Sequence, residues 1–316
     1  MKKRVFLLAI ILFSCNGDNK IILSSSGNLN EISVVISNDL WEAEAGKVLK
    51  KALTKPIYGL PQQEPIFKLR QMPPEVFSGF VTKSRAIIKV QKSNQEQIGV
   101  TRNKYASPQT IVLISGPSST SISEQIKTNA AAIINTLKKG ELAEKTRRIR
   151  KSLNTSKTLD SLFKIKLYYP SIYRVAAAEK GFVWLRKDTK SGSVNLSIYE
   201  APLNAKNTSL NVIALRDSVS KLKIPGPVEG TYMSTDPQYK SVSKQITLNK
   251  LKATETRGLW EVKKQFMGGP YINFSVIDST NSRVLFFDGF VYSPATEKSS
   301  YIFELEAIIK SLKILN

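Results

Sequence analysis

Three carboxylates in the second half of this 316-residue chain, Glu229, Glu261 and Asp288, are the residues best suited to acid–base chemistry. A glycosidase-type site requires an acid and a base or nucleophile about 5 to 10 Å apart, and two of these residues could supply them. Each carboxylate lies in a stretch that is dense in glycine, aromatic and charged residues. The candidate cleft built from these stretches comprises Arg216, Asp217, Glu229, Tyr232, Arg257, Trp260, Glu261 and Asp288.

Asp288 interrupts the apolar run "FFDGFVYSP", and this position indicates a structural role. Strand alternation directs Asp288 to the same face as Val284 and Phe286, so its carboxylate is predicted to be buried. A buried acid requires a partner, and Arg216 or Arg257 could provide one. We therefore favour a core ion pair and ordinary turn chemistry over catalysis for these stretches.

The composition excludes several classes of enzyme. The chain has no histidine, which removes Ser-His-Asp triads, HExxH zinc sites and most imidazole metal sites. The nucleophile motif GxSxG and the phosphate-loop motif GxxxxGK(S/T) are absent, and Ser-x-x-Lys recurs only at chance frequency. We predict no metal and no cofactor, and the sequence leaves open whether the chain is an enzyme.

Cys15, the only cysteine, follows a basic segment and a short apolar segment, residues 5–13. This apolar segment is shorter than the roughly 20 residues of a membrane-spanning helix, so it predicts a signal peptide. "LFSC", residues 12–15, resembles a lipobox, the motif whose cysteine receives a diacylglyceryl group and becomes the mature N-terminus. Palmitate-type chains on Cys15 would anchor the protein, because two or three acyl chains bind a bilayer stably. A plain signal peptide is the alternative.

The chain is strongly basic. The formal net charge is +22, and cleavage before Cys15 removes three of these cations to leave +19. Such a charge attracts anionic surfaces, so anionic lipid or lipopolysaccharide is a predicted partner. A proteome that is generally rich in lysine is the alternative explanation. Nucleic acid is not an expected partner, because an exported protein is separated from it.

The spacing of apolar residues predicts an α+β fold in two sheet-plus-helix domains. We assign residues 1–14 to a signal peptide, 15–26 to a lipidated tether, 27–154 to an N-terminal domain and 155–316 to a C-terminal domain. Both domains are expected to contain mixed or largely antiparallel sheets, and a long helix is expected to close each half.

Three local predictions concern how these elements position the candidate residues. Helices are predicted over residues 40–53, from 121 onward, over 209–222 and over 300–315. The second of these is predicted to be interrupted at Gly140 and to continue as a basic arm over residues 144–157. Met267 to Pro270 is predicted to be a turn, because glycine and proline favour turns. One strand is predicted to carry Arg257 and Glu261 on one face and Trp260 on the other.

Several longer strings resemble one known family. "RDSV", "IPGPVEGTYM", "RGLWEV", "FMGGPY", "GFVYSP" and "LEAIIKSL" are similar to the Bacteroidota lipoproteins grouped as domain-of-unknown-function family 4837. "LWEAEAGKVLKKAL" and "YGLPQQEPIFKLRQMPP" are similar to the N-terminal half of that family. The resemblance covers nearly the whole mature chain. It implies an exported lipoprotein of a Gram-negative envelope, and it brings no assigned activity.

The resemblance and Cys15 together predict a lipoprotein of the outer membrane. Asn16 does not indicate retention in the inner membrane, and Asp18, a lone acidic residue after the cysteine, favours the periplasmic face over the cell surface. The predicted role is binding or structural support of an envelope component, with the membrane and an envelope protein as expected partners. The alternatives are a histidine-free hydrolase of envelope glycans acting through paired carboxylates, and a basic module that binds anionic lipid or lipopolysaccharide.

Overall fold

The computed structural model describes residues 22–203 and 212–315, and the structural statements below concern these residues. Cys15, the predicted signal peptide and most of the predicted tether lie outside them. Two sheet-plus-helix units follow one another along the described chain. The predicted α+β class and two-domain organisation are thereby confirmed. Within the described residues, no helix is both long and apolar enough to cross a membrane.

The first domain is built on a mixed sheet of five strands, which pair in the order β2-β1-β3-β5-β4. β1, β2, β3 and β5 run parallel, and only the edge strand β4 is antiparallel to its neighbour β5. The strands are β1 (Glu31–Val35), β2 (Lys68–Met72), β3 (Ala86–Lys92), β4 (Gln97–Arg102) and β5 (Thr110–Gly116).

Three helices, α1 (Asn38–Glu42), α2 (Glu44–Leu53) and α3 (Ser119–Ile149), cover one face of this sheet. Alternate residues of the strands face them, since Ile32 and Val34 of β1 pack with Leu49 of α2 and Ile126 of α3. The opposite face is covered by Phe77, Val81 and Tyr105, which lie in connecting segments. The sheet is therefore buried on both sides, and α3 is the longest of the helices that pack on it.

Two helix predictions in this domain are wrong. The predicted helix over 40–53 is two helices, because Ala43 between α1 and α2 is extended (φ −77°, ψ −175°). The predicted interruption at Gly140 does not occur, and α3 continues to Ile149. A Cβ on Gly140 would lie 2.8 Å from Thr110 Oγ1, so the glycine allows α3 to approach β5 closely rather than ending the helix.

The second domain is built on an antiparallel sheet in the order β10-β12-β13-β14-β9-β8-β7, with β11 also paired to β12. A separate pair joins β6 to β15. The helices are α4 (Thr158–Phe163), α5 (Val212–Lys223) and α6 (Ser299–Ile309). The strands are β6 (Ile165–Lys166), β7 (Arg174–Glu179), β8 (Phe182–Thr189), β9 (Gly192–Pro202), β10 (Met233–Thr235), β11 (Val242–Leu248), β12 (Leu251–Val262), β13 (Gly268–Asp278), β14 (Arg283–Tyr292) and β15 (Lys313–Ile314).

Strand alternation divides this sheet between two cores. In β14, Leu285 and Phe287 pack on the side of α6, whereas Phe286 and Phe290 pack on the side of α5. The core beneath α6 also receives Ile149 from the end of α3. The two domains are therefore joined by a packed interface and not only by the chain that connects them.

Two further predictions for this domain are wrong. The turn between β12 and β13 falls at residues 263–266, and β13 already begins at Gly268. Gly269 is needed within the strand, because a Cβ there would lie 2.1 Å from the carbonyl oxygen of Val291 in β14. The final helix ends at Ile309 instead of reaching 315, because residues 313–314 leave it to pair with β6.

Candidate functional site

The residues of the predicted cleft lie on both faces of the C-terminal sheet. Trp260 in β12 and Asp288 in β14 lie on the face covered by α5, which itself carries Arg216 and Asp217. Arg257 lies on the opposite face, toward α6. The uninterrupted β12–β13 register puts Glu261 on the same face as Arg257, as strand alternation predicts.

Arg216 and Asp288 form a buried ion pair. Arg216 Nε donates to Asp288 Oδ1 at 2.9 Å, and both side chains are almost completely shielded from solvent, 0% and 1% exposed. The guanidinium of Arg216 also lies 4.0 Å from the ring centroid of Tyr271. The predicted burial of Asp288 and its arginine partner are confirmed, and Arg216, not Arg257, is that partner. The carboxylate joins α5 to β14.

Asp217, the next residue of α5, has a comparable role. Its Oδ1 accepts hydrogen bonds from the backbone N–H of Thr235 at 2.7 Å and from Thr235 Oγ1 at 2.8 Å. Thr235 belongs to β10, so Asp217 attaches the same helix to the edge of the sheet. Tyr232, just before β10, receives Lys221 Nζ over its ring at 5.2 Å. Asp217 also lies 3.4 Å from Arg216 Nη1, so the contacts of both residues are those that hold α5 against the sheet.

The three candidate carboxylates do not converge. Asp288 is enclosed beneath α5, and Glu261 on the other face accepts a hydrogen bond from Lys263 Nζ at 2.5 Å. Glu229 is exposed in the loop before β10. A paired-carboxylate mechanism requires two of these groups on one cleft at a suitable separation. The geometry of these residues therefore does not support the hydrolase alternative.

A charged network that the sequence did not reveal joins the two domains. Glu306 of α6, 2% exposed, accepts hydrogen bonds or ion pairs from Lys138 of α3 at 2.9 Å, Arg257 at 2.9 Å and Lys310 at 2.6 Å. Burial opposes ionisation of Glu306, but these three cations outweigh it and hold the pKa of its carboxyl well below the ordinary value. Glu306 is thus a fixed anion.

The same network lines a cavity of about 320 Å³ between the domains. Arg257 bridges Glu306 to Glu255, whose Oε1 accepts from Arg257 Nε at 2.7 Å. Desolvation lowers the pKa of Lys138, while its Coulombic attraction to Glu306 opposes this effect. Since the charges of this cavity are already paired with one another, we interpret it as a joint between the domains.

A larger cavity, which we call the aromatic pocket, has a volume of about 720 Å³ and lies on the α5 face of the sheet. Strand alternation creates it, because strands β8, β12 and β14 of the one sheet direct aromatic residues to this face. The ring centroids of Trp260 and Phe290 are 5.8 Å apart in an edge-to-face arrangement. The apolar lining of the aromatic pocket includes Trp184, Met233, Trp260, Met267, Phe290 and Tyr292.

Five polar side chains in the wall of the aromatic pocket already have partners. Asn195 Oδ1 accepts from Trp184 Nε1 at 3.1 Å, and Asn195 Nδ2 donates to Ser193 Oγ at 3.0 Å. Trp260 Nε1 donates to the carbonyl of Val291 at 3.3 Å. Arg186, at the wall, is paired with Asp188 at 2.7 Å. Because these five side chains already have partners, this part of the wall favours an apolar occupant.

The mouth of the aromatic pocket is formed by two connecting segments. The β12–β13 hairpin contributes Gln265 and Phe266, and the segment after α5 contributes Pro225, Gly226 and Pro227. The strings "IPGPVEGTYM" and "FMGGPY", singled out in the sequence, thus meet at one opening. Trp260 was the only predicted site residue that lines this pocket. The sequence around Trp184 and Tyr292 did not indicate a site. Whether these two residues line the same pocket as Trp260 depends on the order of the strands in the sheet.

Among residues 22–203 and 212–315, no three Asp, Glu, Cys or His side chains cluster in a way that could hold a metal ion. Cys15, the predicted lipidation site, lies outside the described residues. Its assignment therefore remains a prediction from the sequence.

Comparison with sequence families gives two matches that divide the chain near residue 151. Residues 152–311 match the family described as "Domain of unknown function (DUF4837)". Residues 25–150 match the family described as "Domain of unknown function (DUF8532)". No curated protein matches the chain. Neither description names an activity, a ligand or a partner.

Two matches among solved structures are distant likenesses. A crystal structure from Bacteroides thetaiotaomicron matches at a TM-score of 0.28 and 10% identity, covering 48% of this chain and 46% of that chain. The chain therefore spans about half the length of that protein. The human StarD13 lipid transfer and protein localization domain matches at a TM-score of 0.23 and 9% identity, covering 45% of this chain and 90% of that chain. At these TM-scores neither likeness supports a functional argument.

Proposed function

Because this chain belongs to the DUF4837 family, whose description assigns no activity, we propose a function from the site itself: the protein is an envelope lipoprotein that binds an acyl-type apolar ligand in its aromatic pocket. The proposal specifies the binding role that the sequence predicts. It assigns the binding to the C-terminal domain and gives the chemical class of the ligand.

The aromatic pocket is the observation that carries this proposal. Its volume of about 720 Å³ lies within the range of small-molecule sites, which are mostly apolar with a few fixed polar groups. A glycan would bring many hydroxyl groups that each require a partner, and burying them unpaired would oppose binding. The paired state of Asn195, Ser193 and Trp184 therefore favours a hydrocarbon chain over a sugar.

The envelope location is supported by the N-terminal sequence. The basic and apolar segments before Cys15 are those of an exported protein, and Cys15 is placed for acylation. We propose an anchor in the outer membrane of a Bacteroidota species, on the periplasmic face. A protein held at a bilayer surface has acyl chains within reach, and this is consistent with the proposed ligand.

Binding of oleate, measured by isothermal titration calorimetry, tests the proposal. Residues 22–315 include the hydrophobic cores of both domains, so a chain that starts at residue 22 is suitable and avoids the apolar leader. Met267→Trp introduces a larger side chain into the wall of the pocket and should weaken oleate binding at least about tenfold, since it removes much of the apolar contact. Phe80→Trp, at an exposed site of the first domain, is the matched control.

Saturable oleate binding that is lost in Met267→Trp and retained in Phe80→Trp supports the proposed function. Absence of binding by the unmodified chain, or equal affinity of the two variants, contradicts it. Both variants should first be compared by circular dichroism, so that a loss of affinity can be distinguished from a loss of folding.

A further inference from the structure

Two apolar side chains project into solvent at the mouth of the aromatic pocket. Phe266, in the β12–β13 hairpin, is fully exposed, and Val228, in the segment after α5, is 52% exposed. Phe266 lines the same cavity as Pro227, so Val228, the next residue, lies directly beside this opening. An exposed phenylalanine at the entrance of an apolar pocket indicates a surface that contacts another phase or molecule.

The hairpin that carries Phe266 is closed by backbone hydrogen bonds. The N–H of Val262 donates to the carbonyl of Met267 at 2.7 Å, and that of Gln265 donates to the carbonyl of Val262 at 3.1 Å. Lys264 adopts a left-handed conformation, with φ of 65°, which the tight turn requires. The hairpin backbone therefore presents Phe266 outward in a defined position.

The segment that carries Val228 is closed in a similar way. The N–H of Gly226 donates to the carbonyl of Thr231 at 2.9 Å, and the N–H of Thr231 donates to the carbonyl of Val228 at 3.0 Å. Val228 is thus held at the tip of a turn. Two separate hydrogen-bonded tips expose apolar side chains, and neither can fold back on the domain without breaking these bonds.

The charges around the two tips favour an anionic partner. Lys221 and Lys223 end α5, and Lys263 and Lys264 form the hairpin turn. The acids at these two segments are Glu229, Glu261 and Glu179, so the local excess is one positive charge. Lys263 is paired with Glu261, and Lys223 is paired with Glu179. Among the described residues, Lys264 has no ion-pair partner, so its charge is available to an anion.

We propose that Val228 and Phe266 insert into the interfacial layer of an anionic bilayer, which docks the mouth of the aromatic pocket against the membrane. An acyl ligand would then pass between bilayer and pocket without crossing water. The membrane docking stands on the two tips and their lysines, whereas the ligand transfer rests on the proposed function. Apolar side chains between lysines at an apolar opening match the layered polarity of a bilayer surface.

Co-sedimentation of the chain starting at residue 22 with vesicles tests the docking. Vesicles of phosphatidylglycerol and phosphatidylcholine are compared with vesicles of phosphatidylcholine alone. Phe266→Ser should weaken binding to the anionic vesicles about tenfold, and Val228→Ser should weaken it severalfold, because each removes apolar area that the bilayer buries. Phe80→Ser is the matched control, since Phe80 is 71% exposed in the first domain.

The proposal is overturned if Phe80→Ser weakens vesicle binding as much as Phe266→Ser, or if neither tip variant differs from the unmodified chain. Lys264→Gln should reduce binding to anionic vesicles and leave the weaker binding to neutral vesicles unchanged. The vesicle assay contains no free fatty acid, so its result is independent of oleate binding. Docking can therefore fail while the pocket binds oleate, and the pocket can fail while docking is observed.

Discussion

Lys138 of α3 and Glu306 of α6 form an ion pair of 2.9 Å across the junction of the two domains. Arg257 in β12 completes the contact from the second domain, so a single buried carboxylate holds a helix of each domain and a strand together. The aromatic pocket lies on the opposite face of the same sheet. The α6 face of the sheet therefore packs at the domain junction, and the α5 face forms the pocket.

Glu306→Gln should destabilise the protein by about 3–5 kcal/mol at neutral pH, because it removes the counter-ion of the partly buried Lys138 and leaves the largely buried Arg257 with Glu255 alone. Urea denaturation at about pH 7 measures this cost. Glu124→Gln is the control, since the carboxyl of Glu124 is 63% exposed and pairs only with exposed cations. The control should lose less than about 1 kcal/mol. Equal stability of Glu306→Gln and the unmodified protein would contradict the assigned role of the junction.

The acid dependence of stability should follow the buried glutamates. Burial opposes the charge of Glu144, but hydrogen bonds from Arg147 and Arg148 outweigh it and lower its pKa to about 2. The pKa values of Glu304 and Glu306 are also lowered. Because the unfolded chain binds protons more readily, this stability is present above about pH 4.5 and is lost as the pH falls toward about 2. Urea melts across this window should show the loss, with a shallower slope in Glu306→Gln.

Asp288→Ala should cost about 3–5 kcal/mol, since it leaves the buried Arg216 with only the longer ion pair to Asp217 at 3.4 Å. Asp288→Asn keeps the shape and an acceptor for Arg216 Nε and should cost less. Asp188→Ala is the matched control, because Asp188 is exposed and pairs with Arg174 and Arg186 at the surface. Thermal melts of the three variants decide the matter. An unchanged midpoint for Asp288→Ala would rule out the structural role of the ion pair and return Asp288 to the functional candidates.

Gly269→Ala should destabilise the second domain by about 1–3 kcal/mol, because the new Cβ would have to displace the backbone of β14. Gly99→Ala provides the comparison. Gly99 also lies in a strand, but the nearest atom to its added Cβ is the mobile amide of Gln97 at 3.6 Å. That variant should be neutral or slightly stabilising, since alanine restricts the unfolded chain. Similar melting temperatures for the two variants would show that Gly269 is not needed for close approach.

Cys15→Ser should abolish acyl labelling of the full chain and release the protein from membranes after fractionation in high salt. The reason is that the acyl chains, not the basic surface, are proposed to supply the stable anchor. High salt screens the electrostatic attraction and leaves the hydrophobic anchor intact. A variant that stays in the membrane fraction under these conditions would refute the assignment of Cys15 as the lipidation site.

The sequence predicted the features that depend on neighbours along the chain. Alternation in β14 was sufficient to place Asp288 inside, and alternation in β12 was sufficient to separate Arg257 from Trp260. Glycine was misinterpreted at Gly140 and Gly269, because the requirement there is a close approach by another element and not a local turn. A single sequence does not indicate which atom of β5 will approach Gly140 or which atom of β14 will approach Gly269.

The junction and the aromatic pocket could not be predicted, because they depend on contacts between distant parts of the chain. Lys138 and Glu306 are separated by more than half of the sequence, and each alone is typical of a solvated helix. Trp184 and Trp260 line one pocket only because β8 and β12 belong to one sheet, whose strand order is not sequential. The string around Trp260 was conspicuous in the sequence, but the strand that carries Trp184 was not.

Quenching of tryptophan fluorescence by dibromostearate is the most direct test of the central claim, that the aromatic pocket holds an acyl chain. Two of the three tryptophans, Trp184 and Trp260, line the pocket, and Trp41 in the first domain serves as an internal reference. Bromine atoms quench tryptophan fluorescence only on contact. A bound dibromostearate molecule should therefore quench the fluorescence of the Trp41→Phe variant strongly and that of the Trp184→Phe/Trp260→Phe double variant hardly at all. Equal quenching of the two variants, or no quenching of Trp41→Phe at saturating dibromostearate, would contradict the account.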